Sequence, residues 1–432
     1  MNIFTQRRNK LGKLMDNNSL CIIESSPERV RNNDVFFPFR QDSNFFYLTG
    51  YNEPHAILLI YKAGRKINSH FFSKKPNKLD EIWTGKIMSS SQIKKKYEFN
   101  KCGYLNETNK YMDLYLKNAN TVYHSLEDVS LIKKKLYDII VKLDKKYRNG
   151  VKSPSKIFSL KKILQSLRLI KDKTEINTIK HACEISAKAH IHLMKKCKPG
   201  ISEKELEAEL SFAFNQNGCS DAYPAIVASG KNACTLHYTK NSSKLKNGDL
   251  LLTDAACEYL NYASDITRTI PINGKFTQEQ KLIYKIVLDA QIKAIKKCKI
   301  GNTLLDIDNG VIKIICMGLI KIGLLTGPLK KIIKDEAYKK FYMHNTSHWL
   351  GLDVHDPCDY QINNKPIKLK EGMIFTVEPG IYIRPNKSVP KKYHNIGIRI
   401  EDDILITKKG PEILTSSVPK NINDIEEIMQ ND

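Results

Sequence analysis

The stretch GDLLLTDAACEYLNYASDITRT, residues 248–269, decides how the larger part of the chain is built. The apolar run Leu250–Leu252 leads through Asp254 into a short turn and returns through Asp265 and Ile266, the pattern of an antiparallel hairpin. A turn centred on Tyr259 and Leu260 sets Glu258 opposite Asn261, Ala256 opposite Ala263 and Asp254 opposite Asp265. Directly opposed residues on one face have Cβ atoms about 5 Å apart. Two carboxylates so placed repel, and unless their face is open to water the pair calls for a cation. The alternative is a solvated hairpin tip carrying two exposed acids.

On either side of this hairpin the sequence repeats itself. Asp172 with Glu175 is a capping box for a helix running to about Lys196, and Ser202 with Glu205 opens a second helix that ends near Asn217 and Gly218. Strand-like segments follow to Ile272. Thr277 with Gln280 then opens a third helix and Asn302–Thr303 a fourth, ending near Gly323, after which strands return. The joints also match: KKCKPG at 195–200 and KKCKIG at 296–301 lie 101 residues apart between paired helices. A duplication accounts for this placement better than chance similarity in a lysine-rich chain. Two half-domains packed face to face would enclose a cleft between their sheets, with ligands drawn from both.

The second half supplies further polar groups. FTVEPG (375–380) and IGIRIE (396–401) each end an apolar run with a glutamate, Glu378 and Glu401, although buried strands seldom carry unpartnered acids. Ahead of both lies FYMHNTSHWLGLDVHD (341–356), with His344, His348 and His355 among eleven histidines in all. Asp254, Asp265, His348, Glu378 and Glu401 together make an oxygen-rich donor set with one nitrogen. Such a hard set suits manganese or magnesium, and two ions about 3.5–4 Å apart could share it through bridging carboxylates. A mononuclear zinc peptidase fits poorly, because Asn345 stands where a HExxH helix needs its glutamate.

The blocks GDLLLTDAACEYLNYASDITRT, YMHNTSHWLGLDVHD, TVEPG and GIRIEDD resemble the pita-bread metallopeptidases, and among them the aminopeptidase P branch. RVRNNDVFFPFRQDSNFFYLTGYNEP (29–54) looks like that branch's non-catalytic domain. The resemblance implies a dinuclear-metal aminopeptidase that hydrolyses the bond between any N-terminal residue and a following proline. It implies that Asp254, Asp265, His348, Glu378 and Glu401 hold two Mn2+ ions, with Asp265 and Glu401 bridging. A hydroxide between the metals would attack the carbonyl before proline and Glu378 would relay its proton. His237 and His355 would support the tetrahedral intermediate, while His344 and Arg399 would line the proline side. One departure is visible: Ala256 replaces the glycine usual in the family's DAG segment. A prolidase shares every metal ligand and is the alternative, as is a binding protein that kept the fold and lost the chemistry.

The expected fold is α/β (α+β): an N-terminal α/β domain over residues 1–165, then a pseudo-symmetric catalytic domain over 166–432. In the first, Phe45–Thr49 and Ala56–Tyr61 read as strands and Leu131–Leu143 as a helix, with KSPS (152–155) breaking the pattern. Trp83 either packs in a core or reaches over an active site, its own or that of a neighbouring subunit in a homodimer or homotetramer. No apolar run approaches the roughly 18 residues that span a bilayer, and no apolar stretch follows the basic start, so neither a membrane partner nor a secretion signal is expected. Ten cysteines without one CxxC pair point to reduced thiols and a cytoplasmic location. The net charge of +24 is the one unusual bulk property. It is spread in short lysine runs without RNP aromatics, a finger or a basic zipper, so no nucleic-acid partner is expected.

Overall fold

A computed structural model describes residues 1–126 and 131–430. The chain divides into two compact units, Met1–Leu167 and Arg168–Asp432. The first is built on a six-stranded mixed sheet ordered Lys101–Tyr104, Lys66–Ser73, Ala56–Ala63, Ser19–Glu24, Thr121–His124, Lys156–Ser159. Ser19–Glu24 runs antiparallel to Ala56–Ala63 and parallel to Thr121–His124, so it sits mid-sheet and buries both faces. That explains its continuous apolar run LCII.

The segment Phe45–Thr49 is helical, within Ser43–Thr49, and not a strand. Its ends decide the matter: the Asp42 side chain accepts from the Phe45 N–H, and Gly50 closes the helix in the left-handed region at φ 67°. Ala56–Ala63 is a strand and Leu131–Asp144 a helix, as the periodicity predicts. The short helix Lys78–Thr84 buries none of its residues, and Trp83 on it is 86% exposed. The core-packing reading of Trp83 is therefore excluded.

In the second unit the duplicated plan is plain. Helices Lys173–Lys196 and Glu203–Gln216 precede a sheet ordered Ile226–Ser229, Leu250–Asp254, Thr267–Pro271. Helices Gln278–Lys297 and Leu304–Lys321 precede the sheet Ile374–Val377, Asp402–Thr407, Gly410–Ile413 and the pair Gly380–Ile383 with Ile396–Arg399. Both joints turn on a glycine that L side chains would strain, Gly200 at φ 97° and Gly301 at φ 92°. Each donates its N–H outward, to the carbonyls of Leu245 and Leu369. One apolar core runs through both halves, from Leu251 and Ile270 to Phe375 and Ile404, under Ile283, Val287 and Ile315. Each such side chain contributes roughly 1.5–3 kcal/mol when fully buried.

The deciding hairpin forms, but in a different register from the expected one. Tyr259 pairs with Tyr262 and Glu258 with Ala263, so the turn is Leu260–Asn261, both at positive φ. Two-residue hairpin turns of this hand match the twist of the flanking strands, and asparagine tolerates the conformation. Asp254 consequently faces Thr267, not Asp265.

Candidate metal centre and catalytic cleft

Three of the four acids sit where a buried strand gives out, and Asp265 lies just ahead of the strand Thr267–Pro271. Asp254 ends Leu250–Asp254, Glu378 follows Ile374–Val377, and Glu401 follows Ile396–Arg399. His348 is laid beside Glu378 by backbone hydrogen bonds: the Thr376 N–H donates to the His348 carbonyl and the Glu378 N–H to that of Thr346, both at 2.9 Å. Asp254, Asp265, His348, Glu378, Glu401, His237, His344, His355 and Arg399 all line one cleft of about 340 Å³. Leu236, Asn345, Ser347 and Tyr360 complete its wall. Trp83 belongs to the first unit and is not among these lining residues.

Several groups around the acids escaped the sequence reading. Tyr223 is half-buried and its hydroxyl reaches both Asp254 Oδ1 (2.7 Å) and Asp265 Oδ1 (2.6 Å), so the two acids meet through a phenol. The Thr267 hydroxyl donates to Glu401 Oε2 at 2.7 Å. Arg399 donates to Asp254, Thr267 and Tyr382, and Tyr382 also meets His344 Nε2 at 2.9 Å. Asp403 accepts from the Asp265 N–H at 2.9 Å. Thr267 becomes legible once the register is correct, because it shares the face of Asp254. Tyr223 lies 31 and 42 residues from its two partners and carries no charge or spacing signal.

Burial dominates the electrostatics. It pushes Glu378 up to about 7 and Glu401 well above the usual carboxylate range, and the neighbouring acids push the same way. Burial also raises Asp254, against the pull of Arg399. For Asp265 burial works upward, but the hydrogen bond and charge of His348, 3.3 Å away, hold it below its ordinary value. Burial would lower His348, yet Asp265 and Glu378 raise it to about 9. Burial and Arg399 bring His344 down to about 4 and leave it neutral near pH 7.

These residues fit a divalent cation. Asp265, His348 and Glu401 each offer a ligand atom, all within 4.8 Å of one another, and Asp254 and Glu378 line the same cavity. Carboxylates that burial and mutual repulsion drive toward protonation carry an excess of negative charge that such an ion would relieve. His348 would release its proton to become a ligand.

Residues 177–408 match the model of metallopeptidase family M24, and the chain belongs to that family. Residues 4–123 match the aminopeptidase P N-terminal domain, as the 29–54 segment led one to expect. The Xaa-Pro aminopeptidase of Escherichia coli (strain K12) is 40% identical over 428 residues, covering 99% of this chain and 97% of the relative. Proline aminopeptidase P II from Yersinia pestis superposes with a TM-score of 0.96 at 39% identity, covering all of both chains. A glutamate-to-alanine variant of E. coli aminopeptidase P in complex with substrate gives 0.96 at 39% identity, over 99% of this chain and 98% of that one. Within the family the chain thus falls in the aminopeptidase P branch.

Proposed function

We propose that this protein is an Xaa-Pro aminopeptidase, a metalloexopeptidase that removes the N-terminal residue from peptides with proline second. The observation that carries the reading is the convergence of nine carboxylate, histidine and arginine side chains on one cleft, in a chain whose full length aligns with Xaa-Pro aminopeptidases. That alignment favours the aminopeptidase over a prolidase, and the intact donor set argues against a silent relative.

Asp254, Asp265, His348, Glu378 and Glu401 would hold two metal ions, and the hard donor set supports manganese. Bound there, the ions supply Lewis acidity toward a water nucleophile and the scissile carbonyl. Glu378, on the cleft wall beside His348, takes the proton of the attacking water. It then passes that proton to the proline nitrogen, which must be protonated to leave. His355 and His237, on the cleft wall, donate to the oxygen that gains charge as the carbonyl becomes tetrahedral. His344 and Arg399, joined through Tyr382, form a fixed wall on the proline side.

The same reading takes the enzyme as a homodimer or homotetramer in which Trp83 reaches over an active site, its own or a neighbouring subunit's. The exposed apolar residues Leu79, Ile82 and Trp83 on one short helix support it. The ten cysteines are all free thiols, which supports a reducing, cytoplasmic compartment. Among the described residues no helix is long and apolar enough to cross a membrane.

Proline specificity is the deciding test. An X-Pro bond is a tertiary amide without an N–H, and its ring needs a shaped pocket. Losing that ring contact costs on the order of 1–3 kcal/mol. Arg-Pro-Pro should therefore be cleaved with a kcat/KM at least several-fold above Arg-Ala-Pro. Equal values, or a preference for alanine, would move the chain to a general or methionine aminopeptidase activity.

A further inference from the structure

Glu203 is a fully buried acid that the chemistry above does not use. It is the first residue of helix Glu203–Gln216, but it does not cap that helix, because Ser202 and Glu205 complete the capping box themselves. Its carboxylate turns instead to the segment between Ser229 and Ser243. Oε1 accepts from the Ser229 N–H (2.7 Å), the Ser229 hydroxyl (2.7 Å) and the Asn232 amide (2.9 Å). Oε2 accepts from the Tyr238 hydroxyl (2.9 Å) and the Ser243 N–H (2.8 Å). A carboxylate offers about four lone-pair sites, so five donors saturate it. Burial works to raise this carboxyl, yet these donors hold it below its usual range.

The segment so gathered carries His237. From Thr235 to Ser243 the backbone is neither helix nor strand, so side chains must fix its path. Leu236, on one side of His237, packs against the apolar cluster of Ile226, Ala228, Leu252 and Tyr382. Tyr238, on the other side, is tied to Glu203. His237 itself lines the cleft.

We infer that Glu203 is a positioning residue for catalysis: its carboxylate clamps the 229–243 segment so that His237 is presented to the reacting carbonyl. The inference rests on the role given to His237 under the proposed function. A catalytic group displaced by about 1 Å can cost as much as 100-fold in rate, so a purely structural clamp and a positioning clamp differ measurably.

The test is a double-mutant cycle on the metal-loaded enzyme with an X-Pro-Y tripeptide, reading kcat and KM alongside metal content and Tm. Glu203→Gln keeps the volume but replaces one acceptor oxygen with a donor, and should lower kcat/KM at least tenfold with full metal content. Tyr238→Phe leaves the buried carboxylate in place but removes the hydroxyl that donates to it and accepts from the Ser242 N–H, and should lower kcat/KM several-fold. In a His237→Ala background either change should alter kcat/KM less than twofold. Full multiplicative losses in that background would overturn the inference while leaving His237 its role. Unchanged kcat/KM in both single variants would do the same. If Glu203→Gln fails to fold, Tyr238→Phe decides by the same criteria. Unchanged kcat/KM in His237→Ala alone would remove the role of His237, and the clamp's catalytic purpose with it.

Discussion

Burial raises the Glu378 carboxyl to about 7, against the pull of His348 and Arg399 and with Asp265 and Asp254 adding to the rise, so the site holds this acid unlike an ordinary strand-end glutamate. Glu378 lies 3.8 Å from His348 Nε2 and 3.8 Å from His344 Nδ1, so its replacement must preserve shape to be informative. Glu378→Gln should fold and retain part of its metal while kcat falls by roughly 10²- to 10⁴-fold, the usual worth of general acid–base help. Rapid turnover with normal KM would assign the proton to another group. The charged members of the site were readable in the sequence because strand-end acids and clustered histidines violate what a core tolerates. Tyr223, Thr267 and Tyr382 break no such rule. An aromatic or a threonine beside a strand is unremarkable until folding brings its hydroxyl to a carboxylate.

Local end signals outweighed periodicity wherever the two disagreed. Phe45–Thr49 is apolar enough for a strand, but Asp42 and Gly50 bracket it as a helix. The hairpin at 248–269 was legible as a hairpin, while its register turned on which residues adopt positive φ. Asparagine at 261 was the usable signal. A second element-level feature is the helix Lys173–Lys196, which is fastened beside the metal centre by His190 on its buried face. His190 Nε2–H donates to the Ala255 carbonyl at 2.8 Å. Burial lowers this histidine to about 4, below the roughly 6.5 of an unfolded chain. Between those values the unfolded state binds the extra proton, so stability falls as pH drops from about 6.5 toward 4, by an amount on the order of 3 kcal/mol. Above about 6.5 the contribution to the pH slope vanishes. His190→Gln keeps a donor without a titrating ring, and its urea-unfolding free energy should depend less on pH across that window. Identical slopes for the two proteins would mean that His190 titrates normally.

Over the whole molecule, the site's excess negative charge links metal binding to stability. An ion that binds only the folded state stabilises it by RT ln(1 + [L]/Kd), about 2.7 kcal/mol at 100 times Kd. Exhaustive chelation should abolish peptide cleavage and lower Tm by a few degrees in calorimetry, and manganese should restore both. An equally stable, equally active protein after metal removal would refute the metal centre. At this scale the duplication was the most legible feature, since KKCKPG and KKCKIG mark joints that use the same glycine conformation. The placement of Trp83 was not legible, because nothing local distinguishes a tryptophan that packs inward from one left outside. The donor set is divided between the duplicated halves, so the site depends on both being present. Asp254 and Asp265 come from the first half, and His348, Glu378 and Glu401 from the second. Neither half alone carries the full set, so a fragment holding only one of the two halves would lack part of the donors. The two copies of the plan have thus diverged at the site, one supplying aspartates and the other histidine and glutamates.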